Sequence, residues 1–224
     1  KVMEAMWTDL WPIFKLQVKS KLPVFKLAER VSGAAAEGQS FIAKNVFPVI
    51  DKVGKDVNHL KVYMKLMRDT DILARNPHAK LPGGVQKPLV ALEQLKLRIG
   101  PERFAAVEDA ARQLWELNKQ DLDYLVERGL LSSTERTAIT AAHPHYTPFF
   151  REDFAKMDVV TATRRSVGSL SNNEIERMLL EGSERKLTDT LDAFVGGFVH
   201  RRVLVSRNDA AKGIHLAFSE SLPR

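Results

Sequence analysis

By residue type and spacing, His143 and His145 are the pair in this sequence best suited to chemistry. They sit in TAAHPHYTPFFREDF, residues 140–154, with Glu152 and Asp153 close behind. In an extended segment, side chains at i and i+2 share a face, so both imidazoles can reach one metal ion. A metal site needs more ligands than two, each held by outer partners. The sequence marks no third ligand, and Pro144 between the histidines points to a turn-rich crossing. A structural reading fits the stretch better. Pro144 and Pro148 bias the residues before them toward extended backbone. Tyr146, Phe149 and Phe150 then become large anchors against neighbouring helices. Arg151 can cap helix carbonyls or pair with an acid. The segment Tyr146, Pro148, Phe149, Phe150, Arg151 is therefore expected to be a structural strap that holds neither metal nor cofactor.

Other candidate chemistry is weaker. Three carboxylate pairs present themselves: Asp69 with Asp71, Glu108 with Asp109, and Asp121 with Asp123. All fall on charged helical stretches, where neighbours one or two apart diverge. They are read as solvated faces. LPGGVQK (81–87) has a glycine pair and a lysine without the spacing of a phosphate-binding loop, and reads as a turn. Neither G-x-S-x-G nor H-E-x-x-H occurs. The sequence contains no cysteine, which excludes disulfides, thiolate metal sites and cysteine nucleophiles. No catalytic residue is assigned.

The elements that must position these residues are helices. Trp7, Leu10, Trp11, Phe14 and Val18 recur at helical steps over 2–31, with Pro12 in a first turn and a break expected at Pro23. SGAAAEGQS (32–40) reads as a joint. A second block over 40–75 carries an apolar stripe from Phe41 to Met67, kinked at Pro48. RNPHAKLPGG (75–84) is turn chemistry. A short helix spans 85–99, and Pro101 opens the clearest helix, 101–128, with Gly129 as its left-handed cap. Its buried side is read as Phe104, Val107, Ala111, Leu114, Leu117, Leu122 and Leu125. Ser132 with Glu135 forms a capping box for a helix to Ala142, and Ser171 with Glu174 forms a second. Residues 183–219 read as one long helix or two. There Phe194, Gly196, Gly197 and Phe198 offer a smooth notch for a second helix.

No strand pair, hairpin signal or internal repeat appears. The class is all-α: an extended multi-helix bundle with kinked helices, a long C-terminal helix and an aromatic crossing near 143–153. Four segments follow: a kinked N-terminal segment (1–39), a bundle core (40–142), the crossing and loop (143–170), and the C-terminal helix segment (171–224).

With 44% hydrophobic and 28% charged residues in 224, the composition is that of a globular chain. No apolar run approaches the ~20 residues that span a bilayer. The first residue is Lys1, so the chain is read as a piece of a longer protein. Net charge is +6, with a pI of about 9.5. Such a balance favours weak contact with nucleic acid. Interleaved signs, as in EGSERKLTDTLD, read instead as solvated helix faces. FKLQVKSKLPVFK (14–26) mixes basic and aromatic residues and can touch nucleic acid or lipid headgroups, although its apolar count suits a packing helix better.

Several stretches, taken in order, resemble a helical region of the large polyvalent proteins of bacteriophages. They are HLKVYMKLMRDTDILARNP, LNKQDLDYLVERGLLSSTERTAI, HPHYTPFFRE and GSERKLTDTLDAFVGGFVHRRVLVSRNDAAKGI, spread over about residues 40–215. The chain departs from that pattern at Thr190, where proline is expected after Asp189. The resemblance carries no catalytic residue onto this chain. It implies a non-enzymatic structural segment of an internal virion or DNA-ejection protein, located in the virion interior and, after ejection, in the host envelope or cytoplasm. Its partners would be other copies or modules of the same long protein and other virion proteins. Two alternatives stay open: a scaffold beside an enzyme module such as a virion RNA polymerase or a peptidoglycan hydrolase, and a basic nucleic-acid-binding module.

Overall fold

The computed structural model describes residues 24–81, 85, 87–147 and 190–221. They form α1 (Val24–Phe41), a π-helical turn (Ile42–Val46), α2 (Phe47–Val53), a 3-10 turn (Gly54–Asp56) and α3 (Val57–Arg75). After the 76–87 connection come α4 (Pro88–Ile99), α5 (Pro101–Glu127), α6 (Ser133–Ala142) and α7 (Thr190–Ser221). Among the described residues there is no strand, and the class is all-α. The long C-terminal helix is α7, 32 residues or about 48 Å at 1.5 Å per residue. Several sequence expectations lie outside the described residues: those on 2–23, on Pro148, Phe149, Phe150 and Arg151, and on the Ser171–Glu174 box.

The joint expected at 32–40 is corrected: those residues are helical within α1, so the segment boundary at 39/40 falls inside a continuous helix. Alanines 34–36 favour helix, and Ala34 and Gly38 are buried. Gly38 is the point of closest approach to α7. A Cβ there would lie 2.9 Å from the Val199 Cα. Only glycine lets the two backbones come so near. The kink expected at Pro48 takes the form of a π-helical turn just ahead of it. Proline has no N–H to donate, and the chain re-registers by one residue before it. Phe47 N–H bonds the Ile42 carbonyl and Asn45 Nδ2 donates to the Phe41 carbonyl at 2.9 Å.

The turn chemistry behaves as the sequence indicates. Pro88 and Pro101 open α4 and α5. Gly100 and Gly129 take positive φ, 84° and 67°. Ser132 and Glu135 exchange both bonds of the capping box, with Glu135 N–H to Ser132 Oγ at 3.1 Å and Ser132 N–H to Glu135 Oε2 at 2.8 Å. The end of α5 is also capped from afar, since Asn208 Nδ2 and Lys212 Nζ of α7 both donate to the Arg128 carbonyl. A cation there complements the helix dipole.

The core gathers the inward faces of α2, α3, α4 and α5, and continues into the seam between α1 and α7. Leu60, Met64, Val107, Leu114 and Phe198 are fully buried. Tyr63 stacks edge-on to Phe104 at 5.5 Å and lies 6.2 Å from Trp115. In the seam, Phe198 sits 5.3 Å from both Phe41 and Phe194.

Candidate functional site

The histidine segment begins where α6 stops. His143 N–H bonds the Ile139 carbonyl and closes the helix, and Tyr146 N–H bonds the His143 carbonyl to make a turn. Residues 143–147 then run across α3 and α5. The Asp71 carboxylate receives His145 twice, from its backbone N–H and from ring Nδ1, each at 2.9 Å. An ionised carboxylate only accepts, so His145 Nδ1 carries the hydrogen. The His145 ring meets Trp115 edge-on at 4.6 Å. Thr147 is fully buried. Its carbonyl accepts from Arg68 Nη1, and its hydroxyl accepts from Trp115 Nε1–H at 3.3 Å. His143 Nδ1 faces Arg75 Nη2 at 3.1 Å. The two Nδ1 atoms thus serve different partners, one an arginine and one an aspartate. Among the described residues no group of three or more His, Asp or Glu side chains could hold a metal ion. Tyr146 is half-buried, 6.0 Å from His143.

The solvated reading of the carboxylate pairs is corrected in part. Members of each pair do diverge, but Asp69 and Asp121 are buried, at 0% and 1% exposure. Asp69 Oδ2 pairs with Lys65 at 2.6 Å, while its Oδ1 has no partner. Burial pushes the Asp69 carboxyl up, against the pull of Lys65 and Arg68. Asp121 is gripped by α7, with Arg201 Nε on Oδ2 and Arg202 Nη2 at 2.9 Å from Oδ1. Asn118 Oδ1 accepts from Arg201 Nη2 at 3.1 Å. Arg202 lies between two rings, 4.3 Å from both Phe41 and Tyr124, and Arg201 lies 5.0 Å from Phe198. This polar latch joins α1, α5 and α7. Asp123 turns outward to Arg136 at 2.7 Å. Glu108 and Asp109 sit at the periphery, with Glu108 accepting from Tyr63 Oη at 3.3 Å and Asp109 held by Arg112 and Gln113.

Sequence reasoning missed the latch, yet a signal was present. The buried face of α5 steps 107, 111, 114, 118, 121, a spacing of four and three that carries Asn118 and Asp121 in the apolar register. Two adjacent arginines in α7 supply the opposite charge. A third pairing, also unforeseen, joins the start of α5 to the 3-10 turn. There Arg103 grips both oxygens of Asp56, and His59 Nδ1 lies at 2.9 Å. The Arg103 hydrogen bond holds the Asp56 carboxyl well below the usual carboxylate range.

The glycine notch is occupied from within. Gly197 is buried under the guanidinium of its own helix's Arg201, 3.1 Å from where a Cβ would stand, and Gly196 is exposed. The close backbone approach expected at 196–197 occurs at Gly38. Phe194 and Phe198 do form helix–helix contacts, and those contacts are within this chain.

An apolar surface on α4 is left uncovered by the described residues. Helix α4 buries Pro88, Leu92, Leu95 and Ile99. Its opposite side shows Val90 and Leu97 at 51% and 83% exposure, and Leu89, on the flank, is 63% exposed. No described helix is long and apolar enough to cross a membrane.

Comparison with family models, with curated proteins and with solved structures gives no match for this chain.

Proposed function

We propose that the chain is a non-enzymatic helical assembly segment, of the kind found in phage internal virion or ejection proteins. Its task is to hold other copies or other modules of the same long protein in a packageable array, inside the virion and later in the host envelope or cytoplasm. The observation that carries this reading is the outward face of α4. Val90 and Leu97 stand opposite the buried inner face and Leu89 stands on its flank, so their exposure is not a by-product of core packing. Covering them removes apolar surface from water at roughly 25 cal/mol per Å², before the costs of association. The resemblance over 40–215 supplies the phage setting. Of the carboxylates weighed as catalytic candidates, Asp71 is bonded to His145 of the strap, and Asp121 and Asp123 are bonded to arginines of other helices. Those bonds support a scaffold rather than a reaction centre.

Sedimentation velocity over a concentration series tests the reading. Association should rise with concentration and be abolished in Leu89→Lys/Leu97→Lys, with the melting temperature unchanged. A monomer at all concentrations that also fails to bind its flanking modules would refute it. Binding to a flanking enzyme module alone would favour the scaffold alternative.

A further inference from the structure

The uncovered side of α4 carries charge as well as apolar surface. At about 100° of turn per residue, Val90 and Leu97 stand in the middle of the outer face, opposite the buried Pro88, Leu92, Leu95 and Ile99. Leu89, Glu93 and Lys96 line one flank of that face, and Gln94 and Arg98 line the other. All seven side chains are exposed. Among the described residues no ion pair includes Glu93 or Lys96. The Lys96 ammonium rests 5.7 Å from the centroid of the Phe104 ring, on a stem open to solvent. The flank therefore offers an acid and a base, three residues apart, to whatever covers Leu97.

A second copy of α4 presents the complement of this pattern in one orientation. A two-fold axis across two antiparallel helices brings like flanks together, and every contact then occurs twice. Set Glu93 of one copy opposite Lys96 of the other, and the first copy's Lys96 falls opposite the second copy's Glu93. The same register places Val90 of each copy about 3 Å along the axis from Leu97 of the other, and the two Gln94 amides side by side. The apolar middle is covered and two opposite-charge pairs close one flank. A parallel pair joins unlike flanks instead. It sets Lys96 against Arg98 of the other copy and places like ends of the helix dipoles together. Resting on the assembly reading above, we propose that α4 pairs with α4 of a second copy, antiparallel and in this one register. The contact is about 18 Å of helix in length, so the pairing is weak and depends on concentration.

Charge exchange and cross-linking test the register on the whole chain. Glu93→Lys and Lys96→Glu, both at exposed positions, should leave the melting temperature in place and each weaken self-association by about ten-fold. An equal mixture of the two should associate within a few-fold of wild type, because each acid then meets a base on the other copy. The sequence has no cysteine, so an introduced thiol is the only one in its copy. Under copper–phenanthroline oxidation Gln94→Cys should form a disulfide dimer, since its partner lies within the span of a disulfide. Val90→Cys alone should not, and a mixture of Val90→Cys with Leu97→Cys should. Cross-linking of Val90→Cys alone, with none at Gln94→Cys, would mean a parallel pair and overturn the proposal. So would a mixture of the charge variants that stays monomeric while wild type associates. A wild-type monomer that still binds its flanking modules would overturn this pairing and leave the assembly reading standing. Association that survives Leu89→Lys/Leu97→Lys would remove both.

Discussion

The seam between α1 and α7 and the strap over α3 and α5 both bring together parts of the chain distant in sequence, by opposite means. The seam is a close apolar contact: Gly38 against Val199, Phe198 between Phe41 and Phe194, with one polar latch at its edge. The strap is short, and polar bonds pin it. Asp71, Arg75, Arg68 and Trp115 each hold a different atom of 143–147. Long helices bury enough apolar area to associate on their own. Five residues of irregular chain cannot, and their backbone groups must find partners in the protein. The seam should therefore fail through volume and unpaired charge, and the strap through protonation.

The sharpest way to break the seam is to remove the anion of its latch. Asp121→Ala strands Arg201 and Arg202, whose side chains are 13% and 11% exposed, beside a fully buried site. Removing one partner of a buried pair costs about 3–5 kcal/mol, and urea unfolding should show a loss of that size. A triple variant that also replaces Arg201 and Arg202 with methionine should recover much of it. If Asp121→Ala unfolds like wild type, the latch is not what closes the seam.

The strap is tested by pH. His143 is pushed down from 6.5 to about 4, first by burial and then by Arg75 and Arg68. Above pH 6.5 neither the folded nor the unfolded chain protonates it, and its contribution is complete. As pH falls from 6.5 to 4, the unfolded chain takes up a proton that the folded chain refuses. Stability is then lost, by at most about 3 kcal/mol. Asp69 and His200 also titrate differently in the fold, but they are common to wild type and His143→Gln. The difference between those two proteins should open across that window. Parallel stability curves from pH 7 to 4 would mean that the strap yields by another route.

The smallest effect expected is at the glycine of the seam. Gly38→Ala sets a Cβ 2.9 Å from backbone, which cannot move aside as a side chain can. Overpacking of this sort costs about 1–3 kcal/mol. Gly196→Ala, at an exposed helical position, should instead be neutral or stabilising by a few tenths up to about 1 kcal/mol. Thermal melts of the two variants moving the same way would erase the distinction between the glycines.

The sequence by itself determined the local architecture. Pro88, Pro101, Gly100, Gly129 and the Ser132–Glu135 box mark helix ends, because each satisfies or removes a backbone group within a few residues. The all-α class follows from periodicity alone, and so does half of the buried face of α5: Val107, Ala111, Leu114 and Leu122 are buried as expected, whereas Phe104, Leu117 and Leu125 are half-buried. Tertiary structure decided which polar residues point inward and what meets them. Asn118 and Asp121 lie in the apolar register of α5, but only the arrival of Arg201 and Arg202 from 80 residues away makes that burial stable. His143 and His145 promise a shared metal by spacing, whereas Arg75 and Asp71, on successive turns of α3, draw them to separate partners. The glycine that permits close helix approach is Gly38 and not Gly197, because side-chain length at the crossing, rather than composition, sets where two backbones can touch. Pairings of this kind depend on distances between remote segments, and no local propensity encodes those.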